Sequence, residues 1–276
     1  MMTGNRSFGE EGGLLTYGRY LRLPELLAQQ VPQVVPPAHD ELLFITVHQA
    51  YELWFQQLLH ELTAVRDLML GAVAAPAEQP AGRAGGLWKA RQLLARAHVI
   101  ERLLISQVDV LETMTPQDFL DFRAALAPAS GFQSVQFREL EFLSGLKDPR
   151  FVSRFRSLTQ AEHARLDRRL AEPSLWDAYL GLLAARALPG GDDEQVLAAL
   201  VEVARDRGRY DFEWQLAEAL LTHDELAAGW RARHVQMVER QIGTKSGTGG
   251  STGAPYLQGR VQIRYYPLLW ELRDWL

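Results

Sequence analysis

Any metal chemistry in this sequence rests on histidine and carboxylate side chains, because its 276 residues include seven His and no Cys. Without a thiol there is no disulfide framework, no Cys-ligated zinc or iron-sulfur centre, no thiolate-bound haem and no Cys nucleophile. The histidines also miss the spacings of multi-ligand sites. A di-iron bundle needs Glu three residues before His, and that offset holds Pro36, Ile45, Gln57, Ala95, Gln160, Leu220 and Arg231. His60-Glu61 is followed by Leu62, Thr63 and Ala64, so H-E-x-x-H is absent as well.

Single histidines remain. In LLFITVHQAYELWFQQLL, His48 has Phe44, Ile45, Tyr51 and Glu52 as its helical neighbours, and in RARHVQMVERQIG, His234 shares an apolar stripe with Trp230, Val238 and Ile242. Burial among such neighbours favours the neutral imidazole. Each ring fits a hydrogen-bonded core histidine as well as a functional one. A lone imidazole holds iron when the metal brings its own equatorial ligands, as a porphyrin does, so haem is the metal cofactor left open. With no C-x-x-C-H it would be bound non-covalently.

Two further features bear on ligands. Arg123 in FLDFRAALAPASGF follows an apolar stretch beside Phe119 and Phe122, where a guanidinium needs an anion, either a carboxylate of the fold or a substrate carboxylate held by two parallel hydrogen bonds. Gly243 to Pro255 (GTKSGTGGSTGAP) places five Gly in thirteen residues and must be a loop. It is not a P-loop, since Lys245-Ser246 follows Thr244 rather than Gly and the segment follows a helix. Its hydroxyls, Thr248 among them, suit a surface linker or a flap over a ligand.

The elements that must position these residues are helical. Apolar residues recur at spacings of three and four over 40–69, 88–114, 117–126, 132–146, 175–187, 194–221 and 224–242, and alternating stretches are scarce. This predicts an all-α fold, a helical bundle with long antiparallel helices. Gly71 to Gly86 reads as an Ala, Gly and Pro-rich loop between two helices of nearly thirty residues. Thr115, Pro116 and Asp118 mark a helix start, and Pro24 begins or kinks another. Residues 1–14 read as a flexible tail and 15–276 as a single domain without repeats. A net charge of −5 gives no reason to expect nucleic acid. No apolar run suits a bilayer or a secretory signal, so no membrane partner and a cytoplasmic setting are expected.

The blocks DELLFITVHQAYELWFQQLLHEL (40–62), LETMTPQDFLDFRAALAPASGFQSVQFRELEFLSG (111–145) and RHVQMVERQIGTKSGTGGSTGAPYL (233–257), with LTYGRYLRL (15–23) before them, resemble the signature blocks of the tryptophan 2,3-dioxygenase family. They cover about a third of the chain, in the family's order. The resemblance implies a haem b dioxygenase that uses O2 to open the C2–C3 bond of L-tryptophan, giving N-formyl-L-kynurenine in tryptophan catabolism. It implies His234 as the axial ligand of haem iron and His48 as the distal histidine contacting the indole N–H. Arg123 matches the partner of the substrate carboxylate, Thr248 the loop residue closing over the amino acid, Phe44 and Phe119 aromatic walls, and Ser130 a polar residue near the haem. Position 119 is Tyr in some members, so no hydroxyl contact is available here. Tyr17, Tyr20 and Leu21 match a segment that reaches into a neighbouring subunit's pocket, in a homotetramer built as a dimer of dimers.

Within this reading Arg123 and Thr248 fix the amino acid, His48 orients and polarises the indole, and no nucleotide motif is needed, since both oxygen atoms of O2 end in the product. Three other functions remain open to the sequence: a haem-dependent monooxygenase of a modified tryptophan, a non-catalytic haem sensor or carrier, and a plain helical interaction module.

Overall fold

The structure is a computed structural model that describes residues 15–74, 80–154, 158–248 and 254–276. Among them there is no strand. The helices are α1 (Tyr17–Leu21), α2 (Leu23–Leu26), α3 (His39–Ala74), α4 (Pro80–Leu111), α5 (Pro116–Arg123), α6 (Val135–Ser144), α7 (Arg150–Arg154), α8 (Gln160–Ala171), α9 (Leu175–Ala184), α10 (Asp193–Arg205), α11 (Asp211–Ile242), α12 (Ala254–Val261) and α13 (Pro267–Glu271), with short 3₁₀ turns between some of them. The expected tail at 1–14 lies outside the described residues, as do 249–253 of the Gly-rich loop.

Three helices make the frame. α3 has 36 residues, and α4 and α11 have 32 each, so each runs on the order of 50 Å at 1.5 Å per residue. α4 packs between α3 and α11. The α3 stripe Val47, Tyr51, Phe55, Leu58, Leu62, Val65 and Met69 steps by three and four and is buried throughout. Leu87, Ala90, Leu94, Ala97, Leu104 and Val108 answer it on α4, and residues of α6, α9, α10, α11 and α13 continue the same core. Side chains also bond across it to backbone: the Tyr51 hydroxyl donates to the Leu104 carbonyl at 2.8 Å, and Gln107 Nε2 to the Val47 carbonyl at 3.0 Å.

The end of the chain is tied to the middle of α11. Asp224 is fully buried, and its Oδ2 accepts from the Tyr265 and Tyr266 backbone N–H groups at 3.0 and 3.1 Å and from Trp270 Nε1 at 2.9 Å. Immediately before it, the buried His223 bridges Glu101 on α4 (Nδ1 to Oε1, 2.5 Å) and Ser144 on α6 (Nε2 to Oγ, 2.8 Å).

Several expected boundaries move. The helices expected at 194–221 and 224–242 divide at 206–210 instead, and α11 runs unbroken through Thr222, His223 and Asp224. Thr222 returns its hydroxyl to the Glu218 carbonyl, and the two residues after it find the partners above, so nothing there needs a new start. The expected loop at 71–86 is helical at both ends, because α3 reaches Ala74 and α4 begins at Pro80. Its alanines propagate a helix once flanking turns exist, while glycines only weaken it. α8 was hidden by its polarity, since only Leu166 on it is buried, yet Thr159 and Glu162 form a capping box that marks its start. Thr115 and Asp118 form a capping box at the helix start foreseen for α5, and Pro24 stands in the first turn of α2.

Candidate functional site

The candidate site is a cavity of about 680 Å³ between α3, α5, α6 and α11, floored by the end of α4, a volume within the usual range of ligand pockets. His48, Phe44, Phe119, Arg123, Ser130, Thr248 and His234 all line it. Sequence positions two hundred residues apart thus meet around one cavity. Tyr17, Tyr20 and Leu21 do not line it: they stand on α1, which has no buried residue, with Tyr17 75% and Tyr20 70% exposed.

The two histidines are prepared differently. His48 Nδ1 lies 2.7 Å from the Phe44 carbonyl one turn back. A carbonyl only accepts, so Nδ1 carries the proton and Nε2 is left as a lone pair. Burial lowers the pKa of His48, against smaller opposing effects of that carbonyl and of Glu52. His234 lies flat against Trp230, with ring centroids 5.2 Å apart and planes 11° apart. Its pKa is lowered to about 4, first by burial and then by His48. Both imidazoles are therefore neutral at neutral pH, and a neutral ring is what ligates a metal.

Around His48 the wall is aromatic. The Phe44 ring is 4.1 Å from the imidazole, 5.7 Å from Phe119 and 5.6 Å from Phe122, and Phe119 meets Phe122 edge to face at 5.4 Å. These contacts fix a flat apolar slot. At its rim the Gly-rich loop folds back over the α5 end: Thr248 Oγ1 donates to the Ala129 carbonyl at 2.7 Å, and Arg123 donates to the Ser246 carbonyl. Gly243, with φ +60° and ψ −128°, turns the chain out of α11 and aims the loop there, a backbone geometry suited to glycine. Ser130 caps the 3₁₀ turn Gly131–Gln133, its Oγ accepting from the Phe132 N–H.

Deeper in, the wall is cationic. Arg138, Arg231 and Arg260 join Arg123 against the two carboxylates Glu52 and Glu141. Arg138 and Arg260 share Glu141, and Arg231 donates to the Ile263 carbonyl at 2.7 Å. Among the described residues the Nε atoms of Arg138 and Arg231 are buried without a hydrogen-bond partner, a costly state. An apolar slot lined by a neutral imidazole and by the guanidinium groups of Arg123, Arg138, Arg231 and Arg260 has the donor set for a porphyrin bearing carboxylates. Arg138, Arg231 and Arg260 went unremarked in the sequence. The available signal was Arg138 between the apolar Phe137 and Leu140 in VQFRELEF, a cation that needs a partner wherever that helix is buried.

The description of the matching family model is tryptophan 2,3-dioxygenase, and the match extends over residues 1–196 and 192–276. The chain belongs to the tryptophan 2,3-dioxygenase family. It is 64% identical over 269 residues to the tryptophan 2,3-dioxygenase of a Nocardioides species, covering 97% of each chain. The enzymes of that name from Herpetosiphon aurantiacus and Caulobacter vibrioides are 44% and 41% identical over 272 residues, covering 94% of this chain and 97% of theirs. The all-α fold is that expected of a tryptophan 2,3-dioxygenase relative. Among the described residues no helix is long and apolar enough to cross a membrane, and no cluster of three or more His, Asp or Glu is placed to hold a metal ion.

Proposed function

We propose that this chain is a haem-dependent tryptophan 2,3-dioxygenase that joins L-tryptophan and O2 into N-formyl-L-kynurenine by cleaving the indole C2–C3 bond. The observation that carries the reading is the pairing of two neutral imidazoles, His48 and His234, on one apolar cavity with Arg123 at its rim. Haem b, when bound, supplies a redox-active iron for O2 chemistry. His234 would hold its iron, and Arg138 and Arg231 would supply positive charge for its carboxylates.

The protein's own work is positioning. Arg123 releases the Ser246 carbonyl and grips the substrate carboxylate through a charge-assisted fork. Thr248 exchanges the Ala129 carbonyl for the amino acid, so the loop closes only over a loaded site. Phe44 and Phe119 form aromatic walls beside the indole, and His48 Nε2 accepts its N–H, because Nδ1 is already committed to Phe44. Ser130 adds a polar contact near the haem edge. The closed slot excludes water and holds C2 and C3 in one orientation. Both atoms of O2 enter the product, so no reductant is consumed per turnover.

We further infer a homotetramer in the cytoplasm, a single domain over 15–276, and α1 residues Tyr17, Tyr20 and Leu21 reaching a neighbouring copy's cavity. Supporting this, α1 and its flanks present Leu15, Tyr17, Tyr20 and Leu27 to solvent, apolar side chains that a neighbouring copy would cover. Sedimentation of the holoprotein tests the assembly, and a monomer at micromolar concentration refutes it. The activity is tested by adding L-tryptophan and O2 to ferrous haem-loaded protein and identifying the product. N-formyl-L-kynurenine is expected. An oxindole formed only with added reductant would make the chain a monooxygenase, and unchanged tryptophan would make it a haem carrier.

A further inference from the structure

We infer that Arg233, the residue before the axial histidine, is the positioning residue that sets the height and rotation of the His234 imidazole in the cavity. The inference rests on the haem reading above and adds a residue to it.

α11 presents two faces here, one residue out of step. His234, Val238 and Gln241 follow each other at steps of four and three and line the cavity. Arg233 and Arg240, seven residues apart, lie about 100° around the helix from His234 and reach Glu112 at the end of α4. On that second face the Arg233 guanidinium makes a complete fork: Nη1 to Glu112 Oε1 at 2.5 Å, Nη2 to Glu112 Oε2 at 2.6 Å, and Nη2 also to Asp109 Oδ1 at 2.7 Å. The Glu112 side chain is only 12% exposed. It sits one residue beyond α4, where helix carbonyls accumulate negative charge and favour a cation. Two turns on, Gln241 Nε2 donates to the Met114 carbonyl at 2.8 Å. The stretch of α11 that carries His234 is thus pinned to α4 on both sides of the ring.

A planar fork on one carboxylate fixes rotation as well as distance, which a single ion pair does not. The backbone between Arg233 and His234 is helical and stiff, so a turn or slide of α11 at Arg233 is passed to the imidazole. Arg240 gives the internal comparison. It reaches the same Glu112 carboxylate, through a single 3.5 Å contact and from an arginine 68% exposed, so it adds charge without fixing geometry.

The test uses the full chain loaded with haem. In Arg233→Met the iron–histidine stretching band of the ferrous protein, read by resonance Raman, should broaden and shift, and transfer of haem to excess apomyoglobin should speed about tenfold. Glu112→Gln should do the same more weakly, and Arg233→Lys, which keeps the charge but loses the fork, should lie between. Arg240→Met should leave both readouts at wild-type values. If Arg233→Met keeps the wild-type band and releases haem within about twofold of the wild-type rate, the proposal is overturned. It is overturned equally if Arg240→Met matches the effect of Arg233→Met. Should Arg233→Met fail to fold, Glu112→Gln and Arg233→Lys decide it on the same two readouts. If instead the wild type takes up no haem, or His234→Gln retains the band, the haem assignment itself has failed.

Discussion

At the scale of single residues, the proposed function assigns holding the cofactor and orienting the substrate to different side chains. His48 spends Nδ1 on the Phe44 carbonyl and has one acceptor left, so its loss removes one neutral hydrogen bond from the bound indole and nothing from the opposite wall. His48→Ala should take up haem as the parent does while binding L-tryptophan roughly three- to tenfold more weakly. Spectral titration checks this, and failure to take up haem would refute the assignment. Arg123 is the larger anchor, since it meets a charge. Arg123→Met should weaken L-tryptophan binding by about ten- to a hundredfold, whereas indole lacking the amino acid head should bind both proteins alike. Equal losses for the two ligands would place Arg123 in the fold and not in the site.

At the scale of elements, two sets of buried histidines give the bundle an opposed response to pH. His98 has its pKa lowered to about 4 by burial first and then by His223, and His234 to about the same value. Between pH 6.5 and about 4 the unfolded chain takes up protons at these positions and the folded chain does not, so acidification destabilises the apoprotein across that window, by up to about 1.4 kcal/mol per pH unit for a fully buried group. His223 is the reverse case. Burial opposes its charge, but the adjacent Glu101 carboxylate outweighs it and its pKa is raised. Its contribution is complete below pH 6.5 and is lost as pH rises through the raised value. Urea unfolding of the apoprotein from pH 4 to 9 should therefore show falling stability on the acid side, reduced in slope by His98→Gln, and His223→Gln should remove the alkaline part of the decline. A profile flat from 6.5 to 4 would contradict the burial of His98.

The same helices show what a single sequence discloses. Where a stripe of apolar residues repeats and a capping box stands at its head, as at α5, the element is plain. Where burial is secured by polar partners, it is not. His223 and Asp224 resemble a helix start until Glu101, Ser144 and Trp270 arrive from other parts of the chain to satisfy them. In the site, His48, Arg123 and His234 were conspicuous because each interrupts an apolar run, and family resemblance supplied what they do. Arg138 and Arg231 also interrupt apolar runs, but their partners, Glu141 and the Ile263 carbonyl, lie in other turns or elements, so their cavity-facing role needed three dimensions.

For the molecule as a whole, the buried Asp224 makes the order of synthesis matter. Its three donors lie between residues 265 and 270, made after α11 itself, and a carboxylate without them sits uncompensated in the middle of α11. Ending the chain at 261 should cost about 3–5 kcal/mol, and expression of that truncation should yield aggregated or proteolysed protein. Soluble protein that melts with the parent would refute it. The helix that bears His234 consequently cannot settle until residues 265–270 have emerged to cover Asp224. Any ligand that needs the position-234 imidazole in place must therefore wait for that later stretch of chain before it can be captured.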